Sequence, residues 1–178
     1  MARVFFTSDL HFGHESLCKC LRGMTAKESD ELIIHNWNKA VTKRDKVYVL
    51  GDFTMEKHYD IERILKQLKG DIVLVGGNHD VLRCSKEYMM LGIPVMGCLQ
   101  YKGFFCAHVP IHPHELGFCR GNIHGHIHLK GVIDGWEYNP QSLGERYFNV
   151  NTEFHDFTPV PFEKIEEYFL NLGNKHAI

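Results

Sequence analysis

Short apolar runs alternate with longer amphipathic stretches along this chain, and the alternation predicts its elements. Residues 3–7, 47–50, 72–75 and 104–107 are short runs rich in β-branched or aromatic side chains, each followed by polar residues within a few positions. That pattern predicts buried strands. Between them, Thr25-Ala26-Lys27-Glu28 has the form of a helix capping box. Ile33, Ile34, Trp37 and Val41 follow it on one helical face. Ile61, Ile64, Leu65 and Leu68 make a second face closed by Gly70, and Phe162, Ile165, Phe169 and Leu172 a third ended by Gly173. All three read as core-packing faces. The first half therefore reads β-α-α-β-α-β, which implies parallel strands. From about residue 93 the pattern changes to short strands with the turns Lys102-Gly103, Lys130-Gly131 and Asp134-Gly135. This predicts a second, more antiparallel sheet. Two mixed sheets face to face with helices outside make a four-layer α-β-β-α sandwich, an α/β fold. Segments 111–120 and 135–144 read as loops at the mouth of a site.

Composition narrows the class. A length of 178 residues predicts one domain over 1–178, large enough for a real core. A net charge of -2 shows no basic excess, so nucleic acid, though possible, is not indicated as a partner by charge. No run approaches the roughly 18 apolar residues of a membrane span, and a strand from residue 3 leaves no room for a signal peptide. Six cysteines at 18, 20, 84, 98, 106 and 119 form no C-x-x-C pair, which reads as reduced thiols in the cytoplasm. The 13 histidines are the outlier. His14, His35, His58, His155 and His176 are assigned to solvated or helix-surface positions.

Five short signals account for the remaining chemistry: Asp9-Leu10-His11, Gly51-Asp52, Gly77-Asn78-His79-Asp80, His108 and Gly125-His126-Ile127-His128. They offer Asp9, His11, Asp52, Asn78, His108, His126 and His128 as metal ligands, enough for two ions sharing one carboxylate. Residues two apart on a strand share a face, so Asp9 with His11 and His126 with His128 read as strand pairs. In open α/β sheets ligands gather beyond the carboxyl ends of the strands, which is where these signals fall. Glycines at 51, 76, 77 and 125 let the backbone turn there. Histidine nitrogen suits transition metals over magnesium. Two divalent ions against Asp9 and Asp52 leave a positive site that attracts an anion such as phosphate. Each block alone also fits a structural role: a capping aspartate at 9, a turn at 78–80, a core histidine at 108, an edge-strand face at 126 and 128. His124 shares their parity and reads as a supporting or surface residue.

The ordered set D-x-H, G-D, G-N-H-D, H, G-H-x-H over residues 9–128 resembles the calcineurin-like metallophosphoesterases. Phe148-Asn149-Val150-Asn151 and Pro159-Val160 resemble the closing strand and turn of that family. The resemblance implies the same four-layer sandwich. It implies that Asp9, His11, Asp52 and His128 hold one metal, and that Asp52, Asn78, His108 and His126 hold the other. His79 would contact phosphate and protonate the leaving oxygen, with Asp80 orienting its ring. The ions would be Mn2+ first, with Fe, Zn or Ni as alternatives. Attack would come from a hydroxide bridging them. Met55 stands where many members have a second aspartate, and Glu56-Lys57 follow where the protein-phosphatase branch has an arginine, so that branch does not fit. Ala107 replaces a customary glycine.

The expectation is a dinuclear metal-dependent phosphoesterase, a phosphodiesterase ahead of a monoesterase, acting on a small nucleotide-like substrate. A phosphomonoesterase, a nuclease and a non-catalytic metal-binding scaffold are the alternatives. His112, His114, Arg120 and Lys130 are candidate substrate contacts, and Phe12, Phe118, Trp136 and Tyr138 candidate stacking surfaces; all also fit solvated or locally packed positions.

Overall fold

The computed structural model describes residues 2–54, 61–80, 85–129, 132–133, 136–137 and 143–175. In chain order the strands are β1 (Val4–Thr7), β2 (Lys46–Leu50), β3 (Asp71–Val75), β4 (Val95–Met96), β5 (Leu99–Tyr101), β6 (Phe104–Cys106), β7 (Gly121–His124), β8 (Val132–Ile133), β9 (Trp136–Glu137), β10 (Tyr147–Asn149) and β11 (Val160–Pro161). The α-helices are α1 (Glu15–Leu17), α2 (Ala26–Ala40), α3 (Ile61–Leu65), α4 (Ser85–Met90) and α5 (Phe162–Lys175). The first sheet has the order β11-β1-β2-β3-β4, with β1 to β4 parallel and β11 antiparallel on the edge. The second has the order β10-β7-β6-β5.

Alternation along the strands of the first sheet builds two cores. Phe5, Val47, Val49, Ile72 and Leu74 point to one face and pack with Ile33, Trp37, Val41, Ile61, Ile64 and Leu68 of the α2 and α3 region. Phe6, Leu50 and Val75 point to the other and meet Phe104, Cys106 and Ile123 of the second sheet, with Phe162 and Ile165 of α5. Each fully buried side chain of this size stabilises by about 1.5–3 kcal/mol. The result is the α/β arrangement of two mixed sheets with flanking helices. At the start of α2 the capping box forms: Glu28 N donates to Thr25 Oγ1 (3.2 Å), and Thr25 N donates to Glu28 Oε2 (2.8 Å).

Three expectations need correction. The second sheet is mostly parallel: β10, β7 and β6 run together, and β5 with β6 is its antiparallel pair. The links 107–120 and 125–146 are long enough to carry the chain back for a parallel return. The third helix does not stop at Gly173 but continues to Lys175. A glycine weakens a helix by about 1 kcal/mol relative to alanine without ending it. The second apolar stripe is a shorter helix than predicted, α3 giving way after Leu65 to tight turns that end at Gly70 (φ 98°). The turns at Lys130-Gly131 and Asp134-Gly135, and His58, His176, Cys84, Met55, Glu56 and Lys57, lie outside the described residues. The five described cysteines are free thiols. No helix among the described residues is long and apolar enough to cross a membrane.

The carboxyl ends of β1, β2 and β3 and those of β6 and β7 come together. Ser8 joins the two groups: it bridges to Asn151, and its carbonyl accepts from Thr152 N (3.1 Å).

Candidate metal centre

Past β1 and β2 the chain leaves regular strand but stays paired. Asp9 N donates to Gly51 O, His11 N to Asp52 O and Phe12 N to Phe53 O, each at 3.0 Å. Asp9 (φ 56°), His11 (48°), Asp52 (54°) and His126 (68°) all sit in left-handed backbone. The expectation of strand pairs is thus corrected: β1 ends at Thr7 and β7 at His124, and the candidate ligands lie in the turns beyond. Such backbone costs an ordinary residue about 1–3 kcal/mol, and it clusters at sites where it aims a side chain. Two glycines permit close approach rather than unusual torsion. A Cβ on Gly77 would collide with the Asp52 carboxylate, and one on Gly125 with Ser8 Oγ and Asp9 Oδ2.

The turns gather two triads, Asp9 with His11 and His128, and Asp52 with His108 and His126. Within each, the ligand atoms lie within 4.8 Å of one another. His11 Nε2 and His128 Nε2 lie 3.9 and 3.8 Å from Asp9 Oδ1, inside the roughly 4.2 Å that two ligands about 2.1 Å from one cation can span. Asp52 lies between the triads: its Oδ2 is 3.7 Å from His11 Nε2 and 3.4 Å from His108 Nε2. Its Oδ1 accepts from His79 N (3.0 Å). Asn78 Oδ1 is 2.7 Å from His108 Nε2 and joins the second triad. A direct test of fit comes from buried polar atoms. Asp9 Oδ1 and His11 Nε2 are buried without a hydrogen-bond partner, and they face each other at 3.9 Å. Orphaned acceptors are costly in a core, and a divalent cation would satisfy this pair.

Electrostatics agree with a site built for cations. Burial pushes Asp9 up to about 6, against the pull of His108 and His128. Burial also opposes the Asp52 charge, but the His108 hydrogen bond and the charges of His108 and His11 hold it at about 2. Burial opposes the His108 charge too, yet the Asp52 bond and the Asp9 and Asp52 carboxylates raise it to about 9. Burial lowers His11 well below its ordinary value, and lowers His126 with help from His108. The ring orientations are fixed from behind: His108 Nδ1 donates to Leu50 O (2.8 Å) and His128 Nδ1 to Glu153 Oε1 (2.9 Å).

His79 stands at the opening, with its side chain 35% exposed and Nε2 3.9 Å from Asp52 Oδ2. Asp80 differs from its expected role. Its carboxylate accepts from Asp52 N (2.5 Å), Gly77 N (3.0 Å) and Phe53 N (3.1 Å), with the Tyr88 hydroxyl at 3.4 Å. It therefore ties the 77–80 turn to the Asp52 turn rather than holding the His79 ring. His124 is buried, not a surface residue; its Nδ1 donates to Gly125 O, and burial lowers it to about 4. His14 accepts from Leu17 N at the start of α1, its ring 5.8 Å from that of His11. His155 is half-buried and stacked on Phe148 rather than solvated. Among the substrate candidates, Arg120 covers Phe104 and pairs with Glu166, while His112 caps a 3-10 turn that exposes His114. Phe12 is core, and Phe118 is fully exposed. Lys130 and Tyr138, and the side chain of Trp136, lie outside the described residues.

Sequence reasoning missed Arg22 and Glu153. Their side chains are 1% and 4% exposed, and they pair at 3.1 Å. Burial works against the Glu153 charge, but the bond to His128 and the charges of His128 and Arg22 hold its pKa below the ordinary value. Glu153 follows the capping Asn151 in a 3-10 turn, Thr152–His155. In the sequence that is an ordinary first-turn acid, with no signal linking it to His128.

Comparison with known proteins extends the pattern beyond these residues. An uncharacterized protein of Methanocaldococcus jannaschii is 30% identical over 171 residues, which cover 93% of this chain and 90% of that protein. The gene 66 protein of Mycobacterium phage D29 is 34% identical over 83 residues, 45% of this chain and 41% of the phage protein. A solved structure of a protein of unknown function from Aquifex aeolicus superposes with a TM-score of 0.71 at 26% identity, over 94% of this chain and 99% of that one. A nuclease, MPE, from Pseudomonas putida shares the fold at a TM-score of 0.51 and 18% identity, over 78% and 80% of the two chains. The sequence model for the calcineurin-like phosphoesterases matches residues 2–174, nearly the whole chain. Five candidate ligand blocks on strand-end turns, a fold shared with solved structures and that match converge: the chain belongs to the calcineurin-like phosphoesterase family.

Proposed function

We propose that this chain is a cytoplasmic phosphodiesterase with two metal ions, acting on small nucleotide-like phosphodiesters. The observation that carries the reading is the position of Asp52 Oδ2, between His11 Nε2 (3.7 Å) and His108 Nε2 (3.4 Å). Asp9, His11, Asp52 and His128 would hold one ion, and Asp52, Asn78, His108 and His126 the other. Two divalent ions supply an acidified water and Lewis-acid stabilisation of phosphoryl oxygens. The protein's own residues do the rest. His79 faces solvent above Asp52, where its Nε2 can hold a proton for the departing alcohol oxygen. The backbone N–H of His79 fixes Asp52 Oδ1 and leaves Oδ2 for the shared position. Asp80 locks the turn that carries Asn78 and His79 onto the Asp52 turn. Mn2+ is the first ion to supply, since the mixed aspartate, asparagine and histidine set suits transition metals.

The test is a side-by-side assay of stripped protein reloaded with Mn2+ against bis(p-nitrophenyl) phosphate and p-nitrophenyl phosphate. Faster turnover of the diester is expected. Faster turnover of the monoester would replace the reading with a phosphomonoesterase. Two bound metals with neither ester hydrolysed would favour a binding scaffold. A nuclease is the second reading, favoured by the name of the Pseudomonas putida neighbour; single-stranded DNA in the same assay tests it.

A further inference from the structure

Arg22 closes a π-helical turn, Cys18–Arg22, that ends at Gly23 (φ 69°). From there its guanidinium enters the protein behind the ligand turns. Nη2 donates to Asp9 O (2.6 Å), Nη1 to Leu10 O (3.0 Å) and Ser29 Oγ (2.9 Å), and Nε to Glu153 Oε1 (3.1 Å). The same Glu153 oxygen accepts from His128 Nδ1 at 2.9 Å, and Oε2 accepts from Leu129 N at 3.3 Å. Asn151 anchors the acid from below, accepting from Glu153 N (3.0 Å) and donating to Ile127 O (3.2 Å). One buried ion pair thus grips the backbone that presents Asp9 and His11, and also the ring of His128. Those three residues form one triad, with His128 Nε2 3.8 Å from Asp9 Oδ1. The other triad is held differently, by Leu50 O on His108 and by the Asp80 turn.

A buried ion pair is weak as a stability device, because desolvation offsets the attraction. Its placement indicates another use. A histidine that binds metal through one nitrogen is commonly oriented by a carboxylate on the other.

We propose that Glu153, held by Arg22, is a positioning residue for one of the two metal positions, fixing the His128 ring with Nδ1–H on Glu153 and Nε2 turned toward Asp9. The inference rests on the dinuclear reading above. It predicts an asymmetry: loss of Glu153 weakens one metal position and spares the other.

The experiment is calorimetric titration of Mn2+ into stripped parent, Glu153→Gln and Glu153→Ala proteins, with melting curves of the stripped proteins alongside. Electron paramagnetic resonance reports whether two bound Mn2+ ions are coupled. The parent should take up two ions per chain. Glu153→Ala should weaken one step by roughly 10–100-fold and leave the other unchanged, with loss of the coupled signal. The alanine variant strands a buried arginine, so Glu153→Gln, which still accepts from Arg22 Nε, is the control that keeps the fold. Its Oε1 can still accept from His128 Nδ1 as well, so it should weaken the same single step by less than Glu153→Ala does and leave the other step unchanged. Equal weakening of both steps with a lower melting point would make Glu153 a merely structural residue and overturn the proposal, as would two unchanged steps. A parent that binds fewer than two ions would instead bring down the dinuclear reading itself.

Discussion

Asp45 and Asp9 lie at opposite ends of the first sheet, one just before β2 and one just after β1, and both are buried at 2% and 0% exposure. Asp45 is saturated. Its oxygens accept from Arg3 N (2.7 Å), Thr42 N (2.8 Å) and Thr42 Oγ1 (2.8 Å). The Arg3 bond foremost, against burial, holds its pKa below the ordinary value. Asp9 receives His126 N at 2.8 Å on Oδ2, its Oδ1 has no hydrogen-bond partner, and burial pushes it up to about 6. The same residue type at similar depth is satisfied at one end of the sheet and left short of donors at the other. The shortfall coincides with left-handed backbone at Asp9, His11, Asp52 and His126. Polar atoms left unpaired where a backbone is also strained make this end of the sheet the candidate binding end, in contrast to the saturated end.

The sharpest way to break that comparison is Asp52→Ala. If Oδ2 is the shared ligand, the variant should lose or scramble both metals and all detectable turnover; elemental analysis that still finds two metals per chain would refute sharing. His79→Ala comes next. On the proposed reading it removes a half-exposed group that is not a ligand, so two metals should remain while the rate falls by roughly 10²–10⁴. Unchanged hydrolysis of an ester with a poor leaving group would take His79 out of proton transfer. Asp9→Asn should separate binding from folding. Its amide oxygen can still accept from His126 N, while a buried charge is lost. One metal position should fail, and the stripped variant should gain about 1 kcal/mol over the stripped parent. A lower melting point than that of the stripped parent would show that Asp9 supports the fold after all.

The sequence carries one end of the sheet far better than the other. The strands β1, β2, β3 and β6 and the buried face of α2 follow from apolar runs and helical spacing, because burial demands those patterns. The ligand blocks are legible because each side chain must follow a strand end in a short turn. Their geometry was not: the torsions at Asp9 and His11 depend on pairing with Gly51 and Asp52, residues distant in the chain. Arg22 and Glu153, 131 residues apart, meet only through the tertiary fold. Asp80 was readable as part of a motif, yet its role was set by where the Asp52 and Phe53 N–H groups point. The parallel course of β10 and β7 was hidden because a link without a strong helical pattern does not reveal which way the chain returns.

Asp45 supplies the smallest test and the converse of Asp9→Asn. Asparagine at position 45 keeps one acceptor but turns an amide N–H2 toward backbone or hydroxyl donors. Asp45→Asn should therefore cost about 1–3 kcal/mol in urea unfolding at pH 7, with metal content and turnover unchanged. The pH dependence follows from the direction of the shift. A carboxyl whose pKa is lower in the folded state contributes its stability above the unfolded value of about 3.9. That contribution is lost as pH falls through the folded value. The stability gap between parent and variant should accordingly be full near neutrality and shrink below about pH 4. A gap that stayed constant or widened on acidification would mean that the Asp45 charge is not what Arg3 and Thr42 stabilise. Loss of metal from this variant would break the division between a folding end and a binding end of the sheet.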